Sequence, residues 1–130
     1  MIIDTSALIA ILFSESEAKP FYEKIVSARI CLLGAPTYFE ATMVVISREG
    51  VDAVADLDEL IERLGINVLA FNRDHMLAAR QAFVRYGKGQ GHPAQLNFGD
   101  CMAFAISKVE AMPLLFKGDD FSKTDVERVV

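Results

Sequence analysis

The chain has 130 residues, 52% of them hydrophobic, and a formal net charge of −5. This length fits a single domain with one core, and no apolar stretch reaches the roughly 18 residues that a membrane-spanning helix needs. The acidic balance argues against broad binding of nucleic acid through a basic surface.

Apolar runs typical of strands alternate along the chain with segments of helical periodicity. In chain order, the pattern predicts a strand at 1–4, helices at 6–13 and 17–28, a strand at 30–33, helices at 37–49 and 51–64, and a strand at 66–71. It then predicts a helix at 73–86, a glycine-rich loop at 87–96, a helix at 98–111, a strand at 113–116 and a short final strand at 127–130. Short apolar strands alternating with helices indicate an α/β fold, in one domain over residues 1–130.

Acidic residues follow the predicted strands. Asp4 ends the first strand, and Asp119 and Asp120 come just past the strand PLLF. Glu40 lies in the first predicted turn of the helix after the second strand, and Asp100 opens the helix that begins at NFGD. In open α/β sheets, ligands bind outside the carboxyl ends of the strands. We therefore expect these carboxylates to face one rim of the sheet.

Helix capping offers a structural explanation for each of these acids. TYFE, residues 37–40, has the spacing of a capping box, in which Thr37 and Glu40 satisfy amides at the helix start, and NFGD is a close variant. For Glu40 and Asp100 the structural and the functional interpretation are therefore equally supported. Asp4 can cap the helix that begins near Ser6. Capping alone does not explain why an acid ends a buried strand, so for Asp4 we favour a functional role.

The combination of acids favours a metal site. Carboxylates gathered at one edge repel one another unless protons or cations neutralise them. Oxygen ligands without clustered His or Cys suit Mg²⁺ or Mn²⁺ better than zinc, and Mg²⁺ commonly shares its ligand shell with a phosphate. The sequence thus indicates phosphoryl or phosphodiester chemistry. His75 and His92 lack ligand spacing and are expected to serve packing.

Four motifs in order give the chain a resemblance to a known family. MIIDTSALIAIL, TYFEATMVV, NFGDCMAFAIS and LLFKGDDF, at their spacing, resemble the acidic motifs of PIN-domain ribonucleases, specifically the VapC toxins of bacterial type II toxin–antitoxin pairs. The resemblance covers essentially the whole chain. It implies an α/β/α sandwich with a short, mainly parallel central sheet of four to five strands flanked by helices.

The resemblance also implies roles for individual residues. It makes Asp4, Glu40 and Asp100 catalytic and metal-binding acids, with Ser6 holding Asp4 or a water on the metal and Asn97 as a polar support. The fourth acid is Asp119 or Asp120, since neighbours in an extended segment point opposite ways. We favour Asp119, because it comes first after the strand and Gly118 leaves the backbone free to turn it inward. Asp120 is then expected to cap the following turn.

The activity implied is hydrolysis of RNA phosphodiester bonds by an endoribonuclease toxin with Mg²⁺, or Mn²⁺ as a substitute. The implied partners are an RNA substrate, a VapB-like antitoxin and a second copy of the chain, with apolar helical segments 7–13 and 42–46 as candidate surfaces. RNA contact is assigned to local cations: Arg73, Arg80, Arg85 and Lys88.

Two other interpretations stay open. One is a noncatalytic PIN-like module that binds RNA or a protein partner. The other is an aspartyl-phosphate phosphatase or receiver domain; the segment DTS lacks the second aspartate two residues on that such a phosphatase needs, and the first strand lacks the paired acids of a receiver. Cys31 and Cys101 form no metal or redox pattern, and no secretory signal opens the sequence. We therefore expect a cytoplasmic protein with reduced cysteines and no membrane partner.

Overall fold

A computed structural model describes residues 1–130 and contains one parallel sheet. The strands are β1 (Ile2–Ile3), β2 (Leu32–Gly34), β3 (Asn67–Leu69) and β4 (Leu114–Leu115), in the order β3-β2-β1-β4. Ile2 pairs with Leu32 on one side and Leu114 on the other, so β1 is an interior strand. The predicted α/β class and parallel sheet are confirmed. The predicted strand at 127–130 is not formed, since only Arg128 bridges to Leu114.

Six α-helices connect and flank the strands. They are α1 (Thr5–Leu12), α2 (Ala18–Ser27), α3 (Ala35–Glu49), α4 (Val54–Arg63), α5 (Arg73–Tyr86) and α6 (Phe98–Glu110). A 3₁₀ turn, Val51–Ala53, precedes α4, because Gly50 ends α3 with a left-handed φ of 89°. None of these helices has the length and apolar character needed to cross a membrane.

The alternation of side chains along β1 divides the core into two layers. Ile3 packs on one face of the sheet with Leu33 of β2 and Leu115 of β4, and Ile2 packs on the other face with Leu114. The first layer includes residues of α1 to α4, and the second includes residues of α5 and α6. This arrangement is the predicted α/β/α sandwich. Each buried isoleucine contributes roughly 1.5–3 kcal/mol, which anchors the strand that carries Asp4.

The start of α3 differs from the sequence prediction. The helix begins at Ala35, and its N-cap is Gly34, without any side-chain cap. Pro36 explains the earlier start, since its fixed φ and missing N–H suit the first turn of a helix. Thr37 and Glu40 therefore do not form a capping box, and the interpretation of Glu40 as a capping residue is wrong.

Both cysteines are free and buried, as predicted, Cys31 in the first layer and Cys101 in the second. His75 is also a packing residue. It is fully buried, and its Nε2 lies 2.8 Å from Glu110 Oε1.

Candidate active site

The carboxyl ends of β1 and β4 form one side of a polar cavity of about 410 Å³. The chain leaves β1 toward β2 on one side and returns as β4 on the other, so the cavity lies where the strand order reverses. Five acidic side chains line it: Glu15, and four that the sequence pointed to, Asp4, Glu40, Asp100 and Asp120. Ser6 and Asn97 line it as well. The structure thus brings together six of the residues selected from the sequence.

Asp4 is held at the floor of this cavity by backbone and side-chain contacts. Its N–H donates to the Leu115 carbonyl oxygen at 3.0 Å, which fixes the residue against the end of β4. Its Oδ2 accepts hydrogen bonds from the Ser6 N–H at 3.0 Å and from the Ser6 hydroxyl at 2.6 Å. Asp4 is therefore the N-cap of α1, and the same carboxylate faces the cavity.

Ser6 connects Asp4 to the segment after β4. While its hydroxyl donates to Asp4, the same oxygen accepts a hydrogen bond from the Lys117 N–H at 2.9 Å. The hydroxyl therefore has both a donor and an acceptor role, and its orientation is fixed. This contact supports the expected role of Ser6 in holding Asp4.

Asp100 and Asn97 form a reciprocal cap at the start of α6. The Asn97 N–H donates to Asp100 Oδ2 at 3.0 Å, and the Asp100 N–H donates to Asn97 Oδ1 at 2.9 Å. This is the capping box that the sequence NFGD predicts. Capping and function are compatible here, because the carboxylate that accepts the Asn97 hydrogen bond also lines the cavity.

Two acids of the cavity, Asp4 and Asp100, have raised pKa values. Burial is the main cause that raises the pKa of Asp4 to about 6, with Glu40 adding to it and the hydrogen bonds from Ser6 opposing it. The pKa of Asp100 is also raised to about 6. Burial is the main cause, the charges of Asp120, Asp4 and Glu40 add to it, and the hydrogen bond from the Asn97 N–H opposes it. A cation among these carboxylates would offset both the cost of burying their charges and the repulsion between them.

Of the two adjacent aspartates, Asp120 reaches the cavity and Asp119 does not. The structure therefore favours Asp120, the alternative left open by the sequence, over Asp119 as the candidate fourth acid. Gly118 has a left-handed φ of 96°, and the turn it makes carries the second aspartate toward the acids rather than the first. The Asp119 carbonyl oxygen, not the Asp120 side chain, accepts the hydrogen bond from the Ser122 N–H in the following turn.

The basic residues predicted to contact RNA do not reach the cavity. None of its lining residues is Arg73, Arg80, Arg85 or Lys88. Arg85 instead forms an ion pair with Asp125 at 3.5 Å.

Two cations that were not predicted from the sequence, Lys117 and Arg48, line the cavity. Lys117 Nζ lies 3.0 Å from Glu15 Oε1 and 3.2 Å from Glu17 Oε2, and these contacts raise the lysine pKa. Arg48 Nη1 lies 3.9 Å from Glu15 Oε2. No local pattern could have revealed this group, because Lys117 and Glu15 are 102 positions apart.

Apolar surfaces lie beside the cavity and across α5 and α6. Phe39, Met43 and Ile46 of α3 are exposed, as are Phe83 and Phe98 at a groove of about 310 Å³. The predicted surface at 42–46 is thus available to a partner. Most of the predicted surface at 7–13 is not available to a partner, since residues 7–10 are buried in the core of the domain.

No three His, Cys, Asp or Glu side chains stand close enough together to form a complete metal-ligand set. Apart from Glu15, which pairs with Lys117, the carboxylates around the cavity come from four separate segments. Such a site suits an ion that retains several waters and takes only one or two carboxylates directly, which is the preference of Mg²⁺.

Comparison with known proteins gives strong matches over the whole chain. The PIN domain family matches residues 1–127. VapC ribonuclease Mb0640 of Mycobacterium bovis and ribonuclease VapC30 of Mycobacterium tuberculosis are each 40% identical over 129 residues, which cover 99% of this chain and 98% of theirs. Ribonuclease VapC of Mycolicibacterium smegmatis is 41% identical over 129 residues, with 99% of each chain covered.

Solved structures share the fold at lower identity. VapC20 of Mycobacterium tuberculosis, described as a toxin that cleaves the sarcin-ricin loop, superposes with a TM-score of 0.79 at 16% identity, covering 98% of this chain and 97% of that one. DNA-bound VapBC from Salmonella typhimurium superposes with a TM-score of 0.72 at 14% identity, covering 99% and 95%.

Proposed function

Because the chain belongs to the PIN-domain family and, within it, to the VapC ribonucleases, we propose that it is a toxin that hydrolyses RNA at its acidic cavity with the help of Mg²⁺. Membership in this family makes the chain a nuclease of the hydrolase class. The observation that carries the proposal is the meeting of four acids, from four separate segments, at the carboxyl edge of the sheet.

In this proposal Asp4 and Asp100 would hold the ion, with Glu40 and Asp120 as groups that orient its waters. Mg²⁺, or Mn²⁺ in its place, would lower the pKa of a coordinated water and neutralise charge on the phosphate. The hydrogen bonds from Ser6 keep the Asp4 carboxylate in place, and the hydrogen bond from the Asn97 N–H keeps the Asp100 carboxylate in place. Fixed ligand orientation of this kind supports metal binding.

Lys117 and Arg48 supply the positive charge that RNA needs at an otherwise acidic cavity. Both line the same cavity as the four acids, and both contact Glu15, which holds them at its edge. A phosphate of the substrate can exchange with Glu15 as the partner of these cations. RNA binding in this proposal therefore depends on a few placed cations rather than on a basic surface.

The activity is tested with purified chain and a mixed-sequence RNA. We expect cleavage in millimolar Mg²⁺ or Mn²⁺ and none in excess EDTA, with activity restored when the metal is added back. Calcium serves as a control divalent ion that binds oxygen ligands with a longer bond and a looser geometry. Cleavage that continues unchanged in EDTA would contradict the metal role, and absence of cleavage with either metal would favour the noncatalytic module.

A matched pair of variants tests the fourth acid. Asp120→Asn is expected to reduce kcat by about 10- to 100-fold, because it removes a charge that faces Asp100. Asp119→Asn is expected to change kcat by less than about twofold, since Asp119 lies outside the cavity. Both residues are exposed, so neither variant should alter the melting temperature much. The reverse order of effects would restore Asp119 as the fourth acid.

We also propose a VapB-like antitoxin and a second copy of the chain as partners. Support comes from two solved structures of similar fold, a toxin–antitoxin complex from Klebsiella pneumoniae and DNA-bound VapBC from Salmonella typhimurium. The exposed apolar residues of α3 lie on the same helix as Glu40, so a partner bound there would lie next to the cavity. The groove between α5 and α6 is a separate apolar surface, suited to contact between copies.

A further inference from the structure

We propose that Gly99 is a positioning residue of the active site, because its missing side chain leaves the space that the Glu40 carboxylate occupies. This inference rests on the proposed function, since it concerns the same acidic cavity.

The contact between Gly99 and Glu40 is closer than any side chain at position 99 would allow. A Cβ placed on Gly99 would lie 1.8 Å from Glu40 Oε2, 2.6 Å from its Cδ and 2.9 Å from its Oε1. Ordinary contact needs about 3.4 Å or more, so the carboxylate would have to retreat by roughly 1.5 Å. The collision involves only the end of a flexible side chain, which can move without disturbing the backbone.

Backbone conformation does not explain the glycine. Gly118 and Gly50 have left-handed φ angles that other residues avoid, but Gly99 is not among the residues with positive φ. It is the second residue of α6, where alanine would be the better helix former. Packing against Glu40 is therefore the structural reason for glycine at this position.

The position of Glu40 depends on this packing. None of the hydrogen bonds or ion pairs of the molecule involves its carboxylate. Its neighbour is instead the first turn of α6, where the positive end of the helix dipole favours a negative charge. Asp100 follows Gly99 in that turn. Gly99 thus lets an acid on α3 reach the acid on α6.

The test is Gly99→Ala, alone and combined with Glu40→Ala. In the otherwise wild-type chain, Gly99→Ala is expected to lower kcat by about 10- to 100-fold, because displacement of an active-site group by more than 1 Å has effects of this size. Its melting temperature should be unchanged or higher. In the Glu40→Ala background, which lacks the displaced carboxylate, the same change should alter kcat by less than twofold.

Calorimetric titration of Mn²⁺ into the four proteins supplies a readout independent of cleavage. Gly99→Ala should weaken Mn²⁺ binding severalfold when Glu40 is present and leave it unchanged when Glu40 is absent. Full activity and Mn²⁺ affinity in the single variant, or an equal loss in both backgrounds, would overturn the role of Gly99. If the wild-type chain binds Mn²⁺ but does not cleave RNA, the proposed activity fails and the titrations still decide the positioning role.

Discussion

Asp100→Asn is expected to reduce RNA cleavage at least about a thousandfold while leaving the fold intact. A loss of this size corresponds to about 4 kcal/mol of transition-state stabilisation. The physical reason is the loss of one negative charge at a carboxylate that the proposed ion binds directly. The measurement is kcat/KM on a defined RNA in saturating Mg²⁺.

The substitution separates the chemical role of Asp100 from its capping role. Asparagine keeps an oxygen that can accept the hydrogen bond from the Asn97 N–H, so α6 should still be capped. The melting temperature is therefore expected to stay the same or to rise. Asp74→Asn is a suitable control, since Asp74 is an exposed acid in the first turn of α5, away from the cavity. An Asp100→Asn variant that folds and cleaves RNA at the wild-type rate would end the metal-site proposal.

Features fixed by local chemistry were predictable from the sequence. The apolar run before Asp4 predicts a buried strand with a carboxylate at its end, and the structure has this arrangement. The spacing of Asn97 and Asp100 predicts the capping box that starts α6. In both cases the residues that decide the outcome are neighbours in the chain.

Features that depend on backbone direction or on distant residues were not predictable in this way. Pro36 moved the start of α3 upstream, so the capping box that the spacing of Thr37 and Glu40 suggests does not form. The left-handed turn at Gly118 decided which aspartate faces the cavity, and strand periodicity cannot reveal its direction. The contact between Glu15 and Lys117 joins the two ends of the chain, so only the fold brings it about.

Burial of α1 within the domain also could not be predicted from the sequence. The helix is apolar around much of its circumference, and that pattern suggested a surface for a partner. In the structure Ala7, Leu8 and Ala10 are fully buried by the domain itself. Composition cannot distinguish an intramolecular core from an interface, because both remove the same kind of surface from water.

Asp4→Asn is expected to make the metal-free protein more stable at neutral pH, although it should abolish cleavage. Folding raises the pKa of Asp4 from 3.8 to about 6, so between these values the folded state binds more protons than the unfolded state. The contribution of this group to stability is therefore fully present below about pH 4 and is lost as pH rises through about 6. At about 1.4 kcal/mol for each pKa unit, the loss approaches about 3 kcal/mol.

Chemical denaturation in EDTA at several pH values measures this effect. At pH 7.5 the free energy of unfolding of Asp4→Asn should exceed that of the wild type by about 1–3 kcal/mol, and the difference should vanish near pH 4. Asparagine can still accept the hydrogen bonds from Ser6, so the N-cap of α1 is retained. Asp4→Ala is the control that loses both the charge and the cap, and it should gain less stability or none.

Metal addition should reverse the order of stability at pH 7.5. Saturating Mg²⁺ or Mn²⁺ binds only the folded state, so it should raise the melting temperature of the wild type and leave that of Asp4→Asn nearly unchanged. If the wild type has a higher free energy of unfolding than Asp4→Asn in EDTA, the buried carboxylate does not destabilise the fold, which contradicts the prediction. In the expected case, the buried charge of Asp4 lowers the stability of the metal-free protein, which explains why the acids at this edge of the sheet need a cation.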